Sequence, residues 1–173
     1  MNDDRSMPTP PQIKAWYFDV SRGSAKDCMR GVLDDAAAEG AEVLVVDGEM
    51  IFGADHIASA AFHAQKAIRE GRNSSDSLTM ETLLYASGER QLGRAIDKMS
   101  VNEDTTRIVV ALLSEGGFDQ KDQWHRLPAR DSSADIERYV GYGLTMEELD
   151  TVRPERRADL VLERVAAVDL LKR

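Results

Sequence analysis

Apolar positions recur along this chain with two periods, and the change from one to the other marks its elements. Ile13 to Val20 is almost continuously apolar and aromatic and ends at Ser21-Arg22-Gly23, which predicts a first strand. Ser24 stands where a helix cap belongs. Beyond it Cys28, Val32/Leu33 and Ala36/Ala37 recur at helical spacing up to Gly40, predicting a helix over Ala25 to Glu39. Val43 to Asp47 is short and apolar throughout, as in a strand covered on both faces. Strand, helix and strand then imply a right-handed crossover if the two strands are parallel.

A helical region follows. Ile57, Ala61, Ala64 and Ile68 form one stripe between Asp55 and Glu70, and Gly71 ends it. Met80, Leu83, Leu84 and Ser87 share a face from Leu78 to Ser87. Leu92, Ala95, Ile96 and Met99 keep the i, i+3, i+4, i+7 pattern from Arg90 to Met99. Arg107 to Leu113 reads as a strand, and the polar stretch from Glu115 to Pro128 fits no period. Ser133 to Val140 predicts a short helix, Thr145 with Glu148 a capping box, and Pro154 the first turn of a last helix running to Leu171. The expected fold is α/β: one domain over residues 12–173, with a small mixed sheet of three or more strands flanked by about six helices. Residues 1–11, acidic and proline-containing, are expected to be a disordered leader.

Composition narrows the function. At 173 residues, 42% apolar and 31% charged, the chain suits a globular protein with a real core. The longest apolar run, Ile108 to Leu113, is far too short for a membrane span, and the polar N-terminus does not read as a secretory signal, so a cytoplasmic location is expected. A single cysteine, Cys28, excludes an internal disulfide framework and any multi-cysteine metal site. The net charge of -9 is unevenly spread. Residues 1–55 and 99–152 each carry 11 acids against 5 bases, whereas 56–98 carry 6 bases to 5 acids and 153–173 carry 6 to 4. Local patches decide where a polyanion docks, so the basic stretches matter more than the total.

Catalytic signatures do not emerge. Phosphate-binding loops, nucleophile elbows and zinc helices are missing from the sequence, no cofactor is expected, and no metal site is expected. His56 and His63, seven apart on one helix, suit structural histidines bonded to neighbouring elements better than ligands lacking a third partner. Asp47, Glu49 and His56, near the end of the second strand, define an alternative, a small α/β enzyme with an acid–base site. The stretch that stands out is Ser75 to Lys98. Glu81 and Tyr85 lie one turn apart, free to bond each other or a neighbour, and Ala86-Ser87-Gly88-Glu89 breaks the helix. A new helix start then carries Arg90 and Arg94, with Gln91, Arg94 and Lys98 as its solvent stripe, which reads either as a phosphate seat or as a solvated corner. The last helix has an apolar stripe of Ala158, Val161, Leu162, Val165 and Val168, and a second of Leu160, Ala167 and Leu171 with Arg164 between. Such a helix is either sandwiched or offers one face to a partner, and its terminal place favours the partner.

The run Ile51 to Ala60, with His56, then His63-Ala64, Gly71, Ser77-Leu78, Glu81 and Leu83-Leu84-Tyr85-Ala86-Ser87-Gly88-Glu89-Arg90-Gln91, resembles one family closely: the small kinase-binding regulatory subunit of the KEOPS (EKC) complex, the TPRKB-like family. Met146 to Leu149 and Val161 to Ala166 also look like that family's ending. The resemblance implies a non-catalytic subunit of the assembly that makes threonylcarbamoyladenosine beside the anticodon of tRNA. Its partners would be the kinase-like ATPase, which it binds and stimulates, indirectly the metal-dependent transferase, and tRNA, captured by its 3′ CCA end. On that reading Arg90, Gln91, Arg94 and Lys98, with Lys66, Arg69 and Arg72 as outliers, are expected to face RNA. Leu160, Arg164, Ala167 and Leu171 are expected at the kinase contact, though the two surfaces could be exchanged. Tyr85 would stack a base if exposed, or be buried with its hydroxyl bonded. A protein-only adaptor, with the basic corner mere surface, is the remaining alternative.

Overall fold

The computed structural model describes residues 13–172, so the expected leader lies outside the described residues. Four strands, β1 (Ala15–Asp19), β2 (Val43–Asp47), β3 (Arg107–Leu112) and β4 (His125–Arg126), form a sheet in the order β2-β3-β1-β4. Each described pairing is antiparallel, so the α/β class stands but the sheet is not mixed. β1 and β2 do run the same way, because each is antiparallel to β3, but β3 lies between them, with Val109 opposite both Tyr17 and Val46. A strand some sixty residues downstream thus intervenes in what reads locally as one strand–helix–strand unit.

Successive side chains point to opposite sheet faces. Val43, Trp16, Ile108, Val110 and Leu112 meet Val32 and Ala36 of helix α1 (Ala25–Ala38). Ser24 does not cap that helix. It takes a helical conformation and its hydroxyl donates to the Ser21 carbonyl at 2.7 Å. The aperiodic stretch after β3 completes this face. Phe118 and Trp124 are buried against Trp16, and the Trp124 ring lies parallel to Phe18 at 5.2 Å. Its apolar residues are anchors on a sheet rather than members of a stripe, so periodicity cannot reveal them.

On the other face Ala15, Leu44, Val46, Val109 and Ala111 pack against helices α2 (Ala54–Arg69), α3 (Leu78–Ser87) and α7 (Arg157–Leu171), with α4 (Leu92–Met99) beside α3. α3 is the central rod: every residue from Glu81 to Ser87 is buried. Ala60, Ala64 and Ala67 on α2 let the helices approach closely. Helices α5 (Ile136–Tyr142) and α6 (Met146–Asp150) roof a third cluster of Phe52, Tyr139, Tyr142, Leu144, Leu149, Leu160 and Val161. The expected capping box at Thr145 and Glu148 forms, and Pro154 opens a 3-10 turn leading into α7. This roof corrects the reading of the last helix. Leu160 is only 8% exposed and belongs to the core, because α5 and α6 cover this N-terminal member of the stripe that was expected to face a partner.

Candidate functional site

The break between α3 and α4 is built by groups that meet the orphan carbonyls of the α3 terminus one by one. Gly88 takes the left-handed conformation, φ 68°, and its N–H donates to the Tyr85 carbonyl. The Ser87 hydroxyl donates to Leu84 O at 2.7 Å and accepts the Glu89 N–H at 3.1 Å. Ala86 O accepts two bonds, from His56 Nε2 at 2.8 Å and from the Tyr142 hydroxyl at 2.7 Å. Ser87 O accepts the Lys98 ammonium at 2.5 Å. A side chain at Gly88 would bring its Cβ to 3.2 Å from the Tyr142 hydroxyl and 3.3 Å from Arg164 Cβ, so glycine is needed for closeness as well as for φ.

This wiring decides what the predicted residues are free to do. The Phe52 N–H donates to His56 Nδ1 at 3.2 Å, which leaves the hydrogen on Nε2. Burial pushes the His56 pKa down to about 4, so it is a neutral structural group. Lys98 is a correction. It does not lie on a solvent stripe but caps α3, pairs with Glu89 at 3.4 Å and sits 3.9 Å over the Tyr142 ring. Burial lowers its pKa against the pull of Glu89. Arg90, Gln91 and Arg94 are exposed, and neither arginine forms an ion pair among the described residues. The open surface of the corner is theirs.

Lys66, Arg69 and Arg72 do not join them. His56 bonds Ala86, so the start of α2 lies beside the end of α3 and the two helices are antiparallel. Lys66 and Arg69, in the last turn of α2, therefore stand about 15 Å and about 20 Å along the helix axis from the break. Arg72 is also engaged: it pairs with Glu70 and donates to Asp169 at 3.2 Å.

A second polar cluster fastens α7 across α2 and α3. Asp169 accepts the Tyr85 hydroxyl at 2.5 Å on one oxygen and contacts His63 Nδ1 at 3.0 Å with the other. Burial opposes its charge, but the bonds from Tyr85, His63 and Arg72 prevail and hold its carboxyl below the ordinary range. Tyr85 is fully buried, its ring stacked on His63 at 5.6 Å, so it offers no face to a base. Glu81, also buried, accepts the N–H groups of Ser74 and Ser75 at 3.0 Å and pairs with Lys172. Glu81 and Tyr85 thus bond neighbours rather than each other. Of the residues expected at a partner contact, Arg164 bonds Glu148 at 2.6 Å, Ala167 is half-buried, and Leu171, with its neighbour Leu170, is exposed. Tyr142, Asp169 and Lys172, which complete both clusters, carry no local sign of that role: each meets a residue more than fifty positions away.

The acids of the alternative enzyme site are occupied. Asp47 accepts the Glu49 N–H at 3.0 Å and the Thr105 hydroxyl at 2.9 Å, and Glu49 pairs with Arg138 at 3.3 Å. His56 is held elsewhere, as described.

Among the described residues no helix is long and apolar enough to cross a membrane. A comparison with curated proteins returns no match. The model of the family described as kinase binding protein CGI-121 matches residues 24–139, a span that includes the helix break and both histidines of α2 but ends before α6 and α7.

Proposed function

The chain belongs to the kinase binding protein CGI-121 family, and from that premise we propose that it is the non-catalytic regulatory subunit of a KEOPS-type tRNA-threonylcarbamoylation complex. In this role it binds and stimulates the kinase-like ATPase, with the metal-dependent transferase as an indirect partner, and helps recruit tRNA through its 3′ CCA end. The work is cytoplasmic.

One observation carries the reading. The family-like run from Leu83 to Gln91 ends in a rigidly wired turn that presents Arg90, Gln91 and Arg94 to solvent, with no ion pair to either arginine among the described residues. A single-stranded RNA end needs cations for phosphate and hydrogen-bonding side chains for base edges, and those three residues supply both. Lys98 supports this surface from behind, and Lys66 and Arg69 are too distant to share one nucleotide with it. Leu160, being core, is withdrawn from the kinase contact. Leu171, exposed, remains for that contact, with Ala167 half-buried and Arg164 lying beside Gly88 and bonded to Glu148.

The test reverses charge at the corner. Arg90→Glu with Arg94→Glu should weaken binding of intact tRNA by at least tenfold while leaving capture of the kinase subunit and thermal stability unchanged. Trimming the CCA end from tRNA should remove the same increment from the unaltered protein. Unchanged tRNA affinity in the double variant would leave the protein-only adaptor as the better account.

A further inference from the structure

A cavity of about 330 Å³ lies between the segment Arg130–Ala134 and the start of α7, at the lower end of the size that takes small ligands. Its walls hold hydrogen-bond donors that the protein does not use. Tyr139 is 3% exposed and stacks on Phe52 at 4.6 Å, yet its hydroxyl has no partner among the described residues. Arg157 lines the same cavity. Its Nε is buried with no partner, and its guanidinium enters no ion pair among the described residues. Ser132 adds a hydroxyl and Arg130 a second guanidinium, the latter shared with Asp159 and Asp55. The acceptors are fewer. Asp131 is spent on Ser133 and, at 2.6 Å, on Arg138, while Glu155 is exposed at the lip. Burial and Asp131 raise the Tyr139 hydroxyl pKa against the opposing fields of Arg138, Arg157 and Arg130.

Arg157 Nε, buried without a partner, is costly to leave unmet, and with the unbonded Tyr139 hydroxyl and the exposed Ser132 hydroxyl beside it the cavity suits an anion. We propose that this cavity binds a small phosphate monoester. The Arg157 fork and the Tyr139 and Ser132 hydroxyls bond three phosphoryl oxygens, the unpaired Arg157 supplies the countercharge, and Ala134, Pro154 and Ala158 wall the ester carbon. A carboxylate has too few oxygens for these donors. This site is separate from the α3–α4 corner and stands whether or not that corner binds RNA.

Titration of the full chain with ribose 5-phosphate and with inorganic phosphate, followed by calorimetry and amide NMR shifts, tests it. Millimolar or tighter binding is expected, with amide shifts at 130–134 and 155–158. Affinity should fall at least tenfold in Arg157→Gln and severalfold in Tyr139→Phe, and be unchanged in Arg153→Gln. Equal responses to sodium chloride at matched ionic strength would overturn the proposal, as would undiminished affinity in Arg157→Gln and Tyr139→Phe. Arg157-dependent binding of a single-stranded oligoribonucleotide, with no binding of the monoester, would overturn it in favour of RNA. Tyr139→Phe keeps the ring on Phe52 and decides the matter if Arg157→Gln does not fold.

Discussion

His56 carries more of the structure than its size suggests, and its chemistry makes the fold sensitive to mild acid. Its pKa falls from 6.5 to about 4 because burial excludes the charged form. A group depressed in this way contributes stability that is complete above the unfolded value and is lost as pH falls from 6.5 through 4. The shift corresponds to about 3 kcal/mol. Urea denaturation midpoints should therefore drop between pH 6.5 and 4, above the range in which the depressed carboxyls Asp131 and Asp169 are lost. His56→Gln should be less stable at pH 7 and should flatten that drop. A pH-independent midpoint in the unaltered protein over that interval would contradict the assignment. That His56 is structural could be read from its place beside an apolar stripe. That it holds Ala86, beside the helix break, could not, since the partner is thirty residues away.

Among the elements, α7 shows how one helix is used on two sides. Val165 and Val168 join the sheet-side core, Leu160 and Val161 join the cluster under α5 and α6, and the C-terminal turn is held by Asp169 and Lys172. The Glu81–Lys172 pair is almost wholly buried. Removing one partner of such a pair typically costs about 3–5 kcal/mol, because the other charge stays buried. Two backbone N–H groups still serve Glu81, so Lys172→Met should cost about 3 kcal/mol, measured by chemical denaturation. Adding Glu81→Gln should recover part of that loss, since the orphaned charge is then gone. Strictly additive losses would mean that the pair is not coupled. Both apolar stripes of α7 were legible as periodicity, but their partners were not. α5 and α6 are short, and nothing in their own pattern states which neighbour they cover.

At the scale of the whole molecule the relevant quantity is an acidic body, net -9, with few unpaired cations on the proposed RNA surface. Counterion release gives a slope of log affinity against log salt of about -0.7 per phosphate neutralised on a single strand. With Arg90 and Arg94 as the only contributors, isolated chain and tRNA should show a slope of about -1.4, and a slope steeper than about -4 would require a larger surface than the corner provides. Strong capture would then come from linkage to partner subunits rather than from this chain alone. By itself the sequence determined what depends on near neighbours: three strands, the principal helices, the Thr145 cap, the glycine turn at Gly88 and the family-like run around it. These follow from periodicity and local hydrogen bonding, which act within a few residues. Only the tertiary structure decided what depends on residues distant along the chain. It inserted β3 between β1 and β2, drew Phe118 and Trp124 onto the sheet, turned Lys98 inward and roofed Leu160. Each of those outcomes is settled by which surfaces exclude water together, and that is a property of the packed chain as a whole.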